Sequence, residues 1–67
     1  MFIDYYSILN VEKHSSKTEI RAAYRREAFK WHPDKNVDRD TTAKMQGINE
    51  AYLILSDEEA RERYDRE

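Results

Sequence analysis

Pro33 is the only proline in this 67-residue chain, so there is one place where a helix is forced to stop. Proline lacks a backbone N–H, holds φ at about −65° and pushes its predecessor out of helical conformation. A helix entering this point must therefore end near Trp31. It opens at Ser16-Lys17-Thr18-Glu19, a capping box with Ser at the N-cap and Glu at N3. Between these marks Ile20, Ala23, Tyr24, Glu27 and Trp31 fall on one face at helical spacing.

The rest of the chain repeats this grammar. Asp4 can cap a short first helix carrying Tyr5, Tyr6, Ile8 and Leu9, and Asn10 follows where a left-handed residue is wanted. A third helix is expected from Thr41 or Thr42, with Met45, Ile48, Tyr52 and Leu55 forming a packing seam. Gly47 lies inside it, off the seam, at a cost of roughly 1 kcal/mol relative to Ala, and the sequence offers no reason for it. Ser56-Asp57-Glu58-Glu59 reads as a second capping box opening a short fourth helix with Ala60 and Tyr64; the charged stretch to Glu67 can fray. With one glycine and no sustained period-two alternation, strands are not expected. The predicted fold is all-α: four helices, the second and third forming an antiparallel hairpin across a polar loop at about residues 32–40, the short first and fourth packed on it.

Sixty-seven residues make one domain, 1–67. Eight aromatic residues argue that it folds, and the absence of cysteine excludes disulfides and thiolate metal sites. The apolar runs are far too short for a membrane span, and no signal peptide is read at the N-terminus. The expected location is cytoplasmic. Net charge is −2, but residues 17–35 hold six basic residues against three acidic, a local +3 that leaves −5 elsewhere.

The polar stretch "KWHPDKN" (30–36) invites several chemistries. His32 and Asp34 could serve as an acid–base pair beside Ser15 or Ser16, yet Ser16 is explained as a cap. Nothing supplies an oxyanion hole or a phosphate cradle, and a small hairpin has no deep dry pocket. His14, His32, Asp34 and Asp38 lack the paired spacing of zinc sites. A helix-turn-helix needs a connector of three or four residues, not about nine, and a net-negative chain suits nucleic acid poorly. A protein-contact surface remains. Lys17, Arg21 and Arg25 line one edge of the second helix, beside Ala28, and point towards His32. Arg26 and Lys30 form a separate row. The first row has no acid at i±4 to neutralise it. The proline-locked corner at its end can present the Asp34 carboxylate at a defined position, which suits a partner's arginine.

"DYYSILNV" (4–11), "EIRAAYRREAFKWHPDKN" (19–36), "INEAYLILSD" (48–57) and "RYD" (63–65) closely resemble, in order, the helices of a J domain, the DnaJ or heat-shock-protein-40 module. The resemblance implies a co-chaperone that binds the ATP-bound DnaK-class heat-shock protein 70 and stimulates its ATP hydrolysis, with no catalysis, cofactor or metal of its own. It also implies that His32, Pro33 and Asp34 are the signature required for stimulation, and that Arg21, Tyr24 and Arg25 contact the chaperone. Lys35 and Asn36 match the positions after the signature, and Met45 stands where Phe is common. Asn10 replaces a usual Gly, Glu27 a common Leu, and Ala60 and Glu62 dilute the basic fourth helix. The expected molecule is a monomeric J domain without nucleic-acid or membrane partners, cut from the N-terminus of a longer co-chaperone.

Overall fold

The computed structural model describes residues 2–67. They form four α-helices: α1 Tyr5–Leu9, α2 Lys17–Lys30, α3 Thr42–Leu55 and α4 Glu58–Arg66. One turn of 3-10 helix, Pro33–Lys35, lies between α2 and α3, and no strand occurs among the described residues. The all-helical expectation therefore holds.

Local signals place the ends of the first two helices. Asp4 caps α1 by accepting from the Ser7 backbone N–H at 3.2 Å, and its other oxygen accepts from the Ser7 hydroxyl at 2.9 Å. Asn10 ends α1 in the left-handed region at φ 56°, which asparagine tolerates better than most residues. The capping box of α2 is complete: Ser16 N–H donates to Glu19 at 2.7 Å, and Glu19 N–H donates back to the Ser16 hydroxyl at 3.1 Å. Bonds to Ser7 and Ser16 respectively lower the Asp4 and Glu19 pKa values.

The expected second box does not form. Ser56 stays helical, at φ −86° and ψ −17°, as the C-cap of α3, so extended Asp57 becomes the N-cap of α4, without a side-chain capping bond. A serine still inside one helix cannot adopt the extended backbone needed to cap the next. α3 likewise starts without a bond from the Thr41 side chain; Asp40 accepts from Thr42 N–H at 2.9 Å instead.

Packing then closes the molecule. Trp31, after the end of α2, meets Lys44 near the start of α3, while Tyr24 stacks on Tyr52 at 4.3 Å and donates its hydroxyl to Asn49 at 2.9 Å. Residue numbers run in opposite senses, so the hairpin is antiparallel as expected. Tyr6, Leu9, Ile20, Ala23, Ile48, Ala51 and Leu55 form the buried core. A five-residue helix such as α1 is unstable alone and is held by this burial. Ala51 was not part of the expected seam. It is fully buried, its small side chain allowing close helix approach where Met45 and Tyr52 are only partly covered.

Two further residues depart from simple helix patterning. Glu27 is buried, and its carboxylate keeps an ion pair with adjacent Arg26 at 4.0 Å. Gly47 has no positive φ, and a Cβ there would meet only Ile8, at an ordinary 4.0 Å. The backbone does not require glycine at that position.

At the opposite end α4 is fastened by side chains. Arg61 Nε donates to the Tyr6 hydroxyl at 3.0 Å, and its Nη2 donates to the Lys13 and Ser15 carbonyls at 3.1 and 2.8 Å. Tyr6 donates to Asp65 at 2.7 Å. Tyr64 accepts from Tyr5 N–H at 2.9 Å, donates to the Ile3 carbonyl at 2.5 Å and packs on Phe2, Tyr5 and Tyr6. These bonds fasten α4 to the rest of the molecule at Arg61, Tyr64 and Asp65.

Candidate functional site

The end of α2 poses a backbone problem that the loop solves. The last carbonyls of a helix have no intrahelical partner. Here Trp31 N–H donates to Glu27 O at 3.0 Å and His32 N–H to Phe29 O at 3.4 Å. The Asn36 side-chain amide reaches back and donates to Lys30 O at 3.1 Å and to His32 O at 2.9 Å. His32 is extended, at φ −63° and ψ 136°, and Pro33 begins the 3-10 turn, where its missing N–H costs nothing. The turn closes with Lys35 N–H on His32 O at 3.0 Å and Asn36 N–H on Pro33 O at 3.1 Å.

His32 also caps this turn: its Nδ1 accepts from the Asp34 backbone N–H at 3.2 Å. A neutral ring accepting at Nδ1 carries its proton on Nε2. Asp34 itself projects outward, its side chain 91% exposed, with Oδ2 3.8 Å from His32 Nδ1. Lys35 folds over the exposed Phe29 ring, its Nζ 3.8 Å from the centroid.

The two basic rows of α2 differ in what they do. Arg26 pairs with Glu27 and reaches the Asn10 carbonyl at 3.5 Å, and Lys30 lies 5.6 Å from the Trp31 ring. That row is engaged within the fold. In the other, Lys17 pairs with Glu58 at 3.8 Å, a partner from α4 that i±4 arithmetic could not show. Among the described residues, Arg21 and Arg25 have neither an ion pair nor a side-chain hydrogen bond, and both are exposed.

The expected site residues thus divide in two. Arg21, Arg25, His32, Pro33, Asp34 and Lys35 are exposed along α2 and the turn beyond it. Tyr24, Asn36 and Met45 are half-buried and make internal contacts: Tyr24 clasps α3, Asn36 ties the loop to α2, and Met45 packs on the core. Arg39 was not anticipated. Its Nε and Nη2 both lie 3.4 Å from Asn36 Oδ1, and its guanidinium sits 5.0 Å from the Trp31 ring. The only sequence hint is its place three residues after Asn36, a spacing that has meaning once the turn is known.

The exposed groups here, the Asp34 carboxylate and the Arg21 and Arg25 guanidinium groups, are ones that can make charge-assisted contacts. Ser15 is buried, so its hydroxyl is not offered as a nucleophile. Two surface depressions, of about 510 and 280 Å³, are lined by Ile8, Glu27, Trp31 and Gly47 and by Phe2, Tyr6, His14 and Tyr64, away from Asp34. No three His, Asp or Glu side chains converge as metal ligands among the described residues, and no helix there is long and apolar enough to cross a membrane.

An exposed signature turn on a helical hairpin defines a class, and the comparisons agree with it. The DnaJ domain family model matches residues 4–65. The chain belongs to the DnaJ domain family. It is 54% identical over 63 residues to the chaperone protein DnaJ of Methanothermobacter thermautotrophicus, covering 94% of this chain and 17% of that protein. It is 48% identical over 66 residues to DnaJ homolog subfamily B member 6 of Gallus gallus, covering 96% and 20%. The solved J-Trx1 fragment of ERdj5 superposes with a TM-score of 0.88 at 42% identity, covering 94% of this chain and 32% of that one. The chain thus spans about a fifth of the length of these curated relatives.

Proposed function

We propose that this domain binds the ATP-bound form of a DnaK-class heat-shock protein 70 and stimulates its ATP hydrolysis, as part of a longer co-chaperone in the cytoplasm. The observation that carries this reading is the Asp34 carboxylate, held outward on a turn with its backbone bonds made, after a helix on which exposed Arg21 and Arg25 have no ion pair among the described residues. Relatives named chaperone protein DnaJ support it.

The proposed contact surface comprises His32, Pro33 and Asp34 at the tip, Lys35 and Asn36 behind them, Arg21, Tyr24 and Arg25 along α2, and Met45 on α3. Unpaired arginines raise the encounter rate with an acidic surface and set orientation. Asp34 then accepts a charge-assisted hydrogen bond from a cation on the chaperone. Stimulation follows if the domain binds the hydrolysis-competent state more tightly than the alternative, which shifts the population. The domain contributes no bond-making group of its own and acts as a monomer without cofactor.

Single-turnover ATP hydrolysis by a DnaK-class chaperone tests this reading. Wild-type domain is expected to accelerate the turnover, while Asp34→Asn and His32→Gln are expected to lose most of that effect. Equal stimulation by all three would sink the proposal.

A further inference from the structure

We infer that Arg39 is a positioning residue for the His-Pro-Asp turn: it fixes the Asn36 side-chain amide in the one orientation that ties the turn to α2. The inference rests on the function proposed above for that turn and adds to it a residue outside the signature.

The reasoning begins with the two ends of an amide. Asn36 must donate from Nδ2 to reach the Lys30 and His32 carbonyls, at 3.1 and 2.9 Å. A flipped amide would aim Oδ1 at the same two carbonyls, placing acceptor against acceptor. Arg39 removes that alternative, because a guanidinium only donates and so selects the oxygen end. Two of its nitrogens, Nε and Nη2, converge on Asn36 Oδ1 at 3.4 Å each.

The guanidinium is itself held. It lies 5.0 Å from the Trp31 ring, and the Arg39 backbone N–H donates to Asn36 O at 3.2 Å. Trp31 is half-buried against the core and is the residue where α2 ends. A linked series of contacts therefore runs from the core through Trp31, Arg39 and Asn36 to the carbonyl of His32, whose carbon is bonded to the proline nitrogen. Lysine cannot replace arginine in it: an ammonium is a point charge, without a planar fork that stacks and donates twice.

The test compares wild type with Arg39→Lys, Arg39→Ala and Asn36→Asp in the same 67-residue chain. In single-turnover hydrolysis, both Arg39 variants are expected to lower maximal stimulation at saturating domain about five-fold, about 1 kcal/mol at 1.4 kcal/mol per decade. In Arg39→Lys the concentration giving half-maximal effect should move less than about two-fold, because position is lost and steering charge is kept. Asn36→Asp keeps an acceptor for Arg39 but loses both donors, so it should lose at least as much. In nitrogen-15 spectra the Asn36 side-chain amide signals should shift and exchange faster in Arg39→Lys, with helical circular dichroism unchanged.

Full stimulation by Arg39→Lys, or a defect seen only in the half-maximal concentration, would overturn the inference in favour of simple charge steering. Should wild type itself fail to stimulate, the proposed function falls, and the amide signals alone decide the positioning role. Unmoved Asn36 signals in Arg39→Lys would overturn it there too.

Discussion

Two ends of this molecule use charge in opposite ways. Where α4 crosses the start of the chain, Arg61 has a partner for both Nε and Nη2, Tyr6 donates to Asp65, and Tyr64 bonds the Tyr5 N–H and the Ile3 carbonyl. At the far end of α2 the backbone is just as well satisfied, yet Asp34 is left facing solvent, as are Arg21 and Arg25 along the helix that leads to it. One end spends its polar groups on holding helices together. The other fixes its backbone so that its charges stay available. An exposed charge on a mobile loop would have to be ordered on binding, at an entropic cost that a preformed turn largely avoids.

Substitutions at the two ends should therefore separate stability from activity. The largest expected effect is at the tip: Asp34→Asn should cut chaperone stimulation roughly tenfold to a hundredfold, the scale of one charge-assisted hydrogen bond. Its melting should stay within about 0.5 kcal/mol of wild type, as for an exposed surface change. A large melting shift would break the contrast. At the other end Arg61→Ala should cost about 2–3 kcal/mol, because it strips partners from the partly buried Ser15 carbonyl and from Tyr6. In a domain of this size that lowers the midpoint by roughly 10 °C or more, with stimulation per folded molecule unchanged.

A smaller effect of opposite sign is expected at Gly47→Ala. The new Cβ meets Ile8 at normal contact distance, so helix propensity decides, and stability should rise by about 1 kcal/mol in denaturant melts. Salt provides a further comparison. Raising ionic strength shortens the Debye length below about 10 Å and should weaken chaperone binding by wild type, but much less by a doubly neutralised Arg21→Gln, Arg25→Gln variant. Salt-independent binding would contradict a steering role for Arg21 and Arg25.

The smallest effects are in pH. Backbone and side-chain bonds hold Asp4, Glu19 and Asp40 below their ordinary pKa values. Their folded forms bind protons less readily than the unfolded chain, so these caps stabilise at neutral pH and that contribution is lost as pH falls below about 4. On the alkaline side burial chiefly raises Tyr6, and its bond to Glu50 chiefly raises Tyr5. Raised acids contribute stability below about pH 10 that is lost as pH climbs past the folded value. Tyr6→Phe should flatten the alkaline limb and leave the acid limb alone, which thermal melts across pH would show.

Much of this architecture was legible in the residues because its signals are local. Asp4, Asn10, Ser16 with Glu19 and the stop before Pro33 each act within a turn of themselves. The fixed corner at His32, Pro33 and Asp34 was legible for the same reason, since proline determines its own backbone angle. Ser56 shows the limit of such reading. Its pattern is that of a cap, but α3 continues through it, and only one of two competing helices can hold a given backbone. Ala51 was missed because close packing rewards a small residue, whereas a hydrophobic stripe is recognised by large ones.

By itself, then, the sequence determined where the first two helices start and stop and where the chain turns at Pro33, since those outcomes depend on bonds between residues a few positions apart. Tertiary structure decided which charges remain available. Lys17 is paired by Glu58 and Arg26 reaches the Asn10 carbonyl, while Arg21 and Arg25 have no ion pair among the described residues, and Arg39 is brought over Trp31 against Asn36. Pairings with α1 and α4 form only when separate helices meet, and the place of Arg39 depends on how the loop folds back over the end of α2. No spacing rule within one helix contains that geometry.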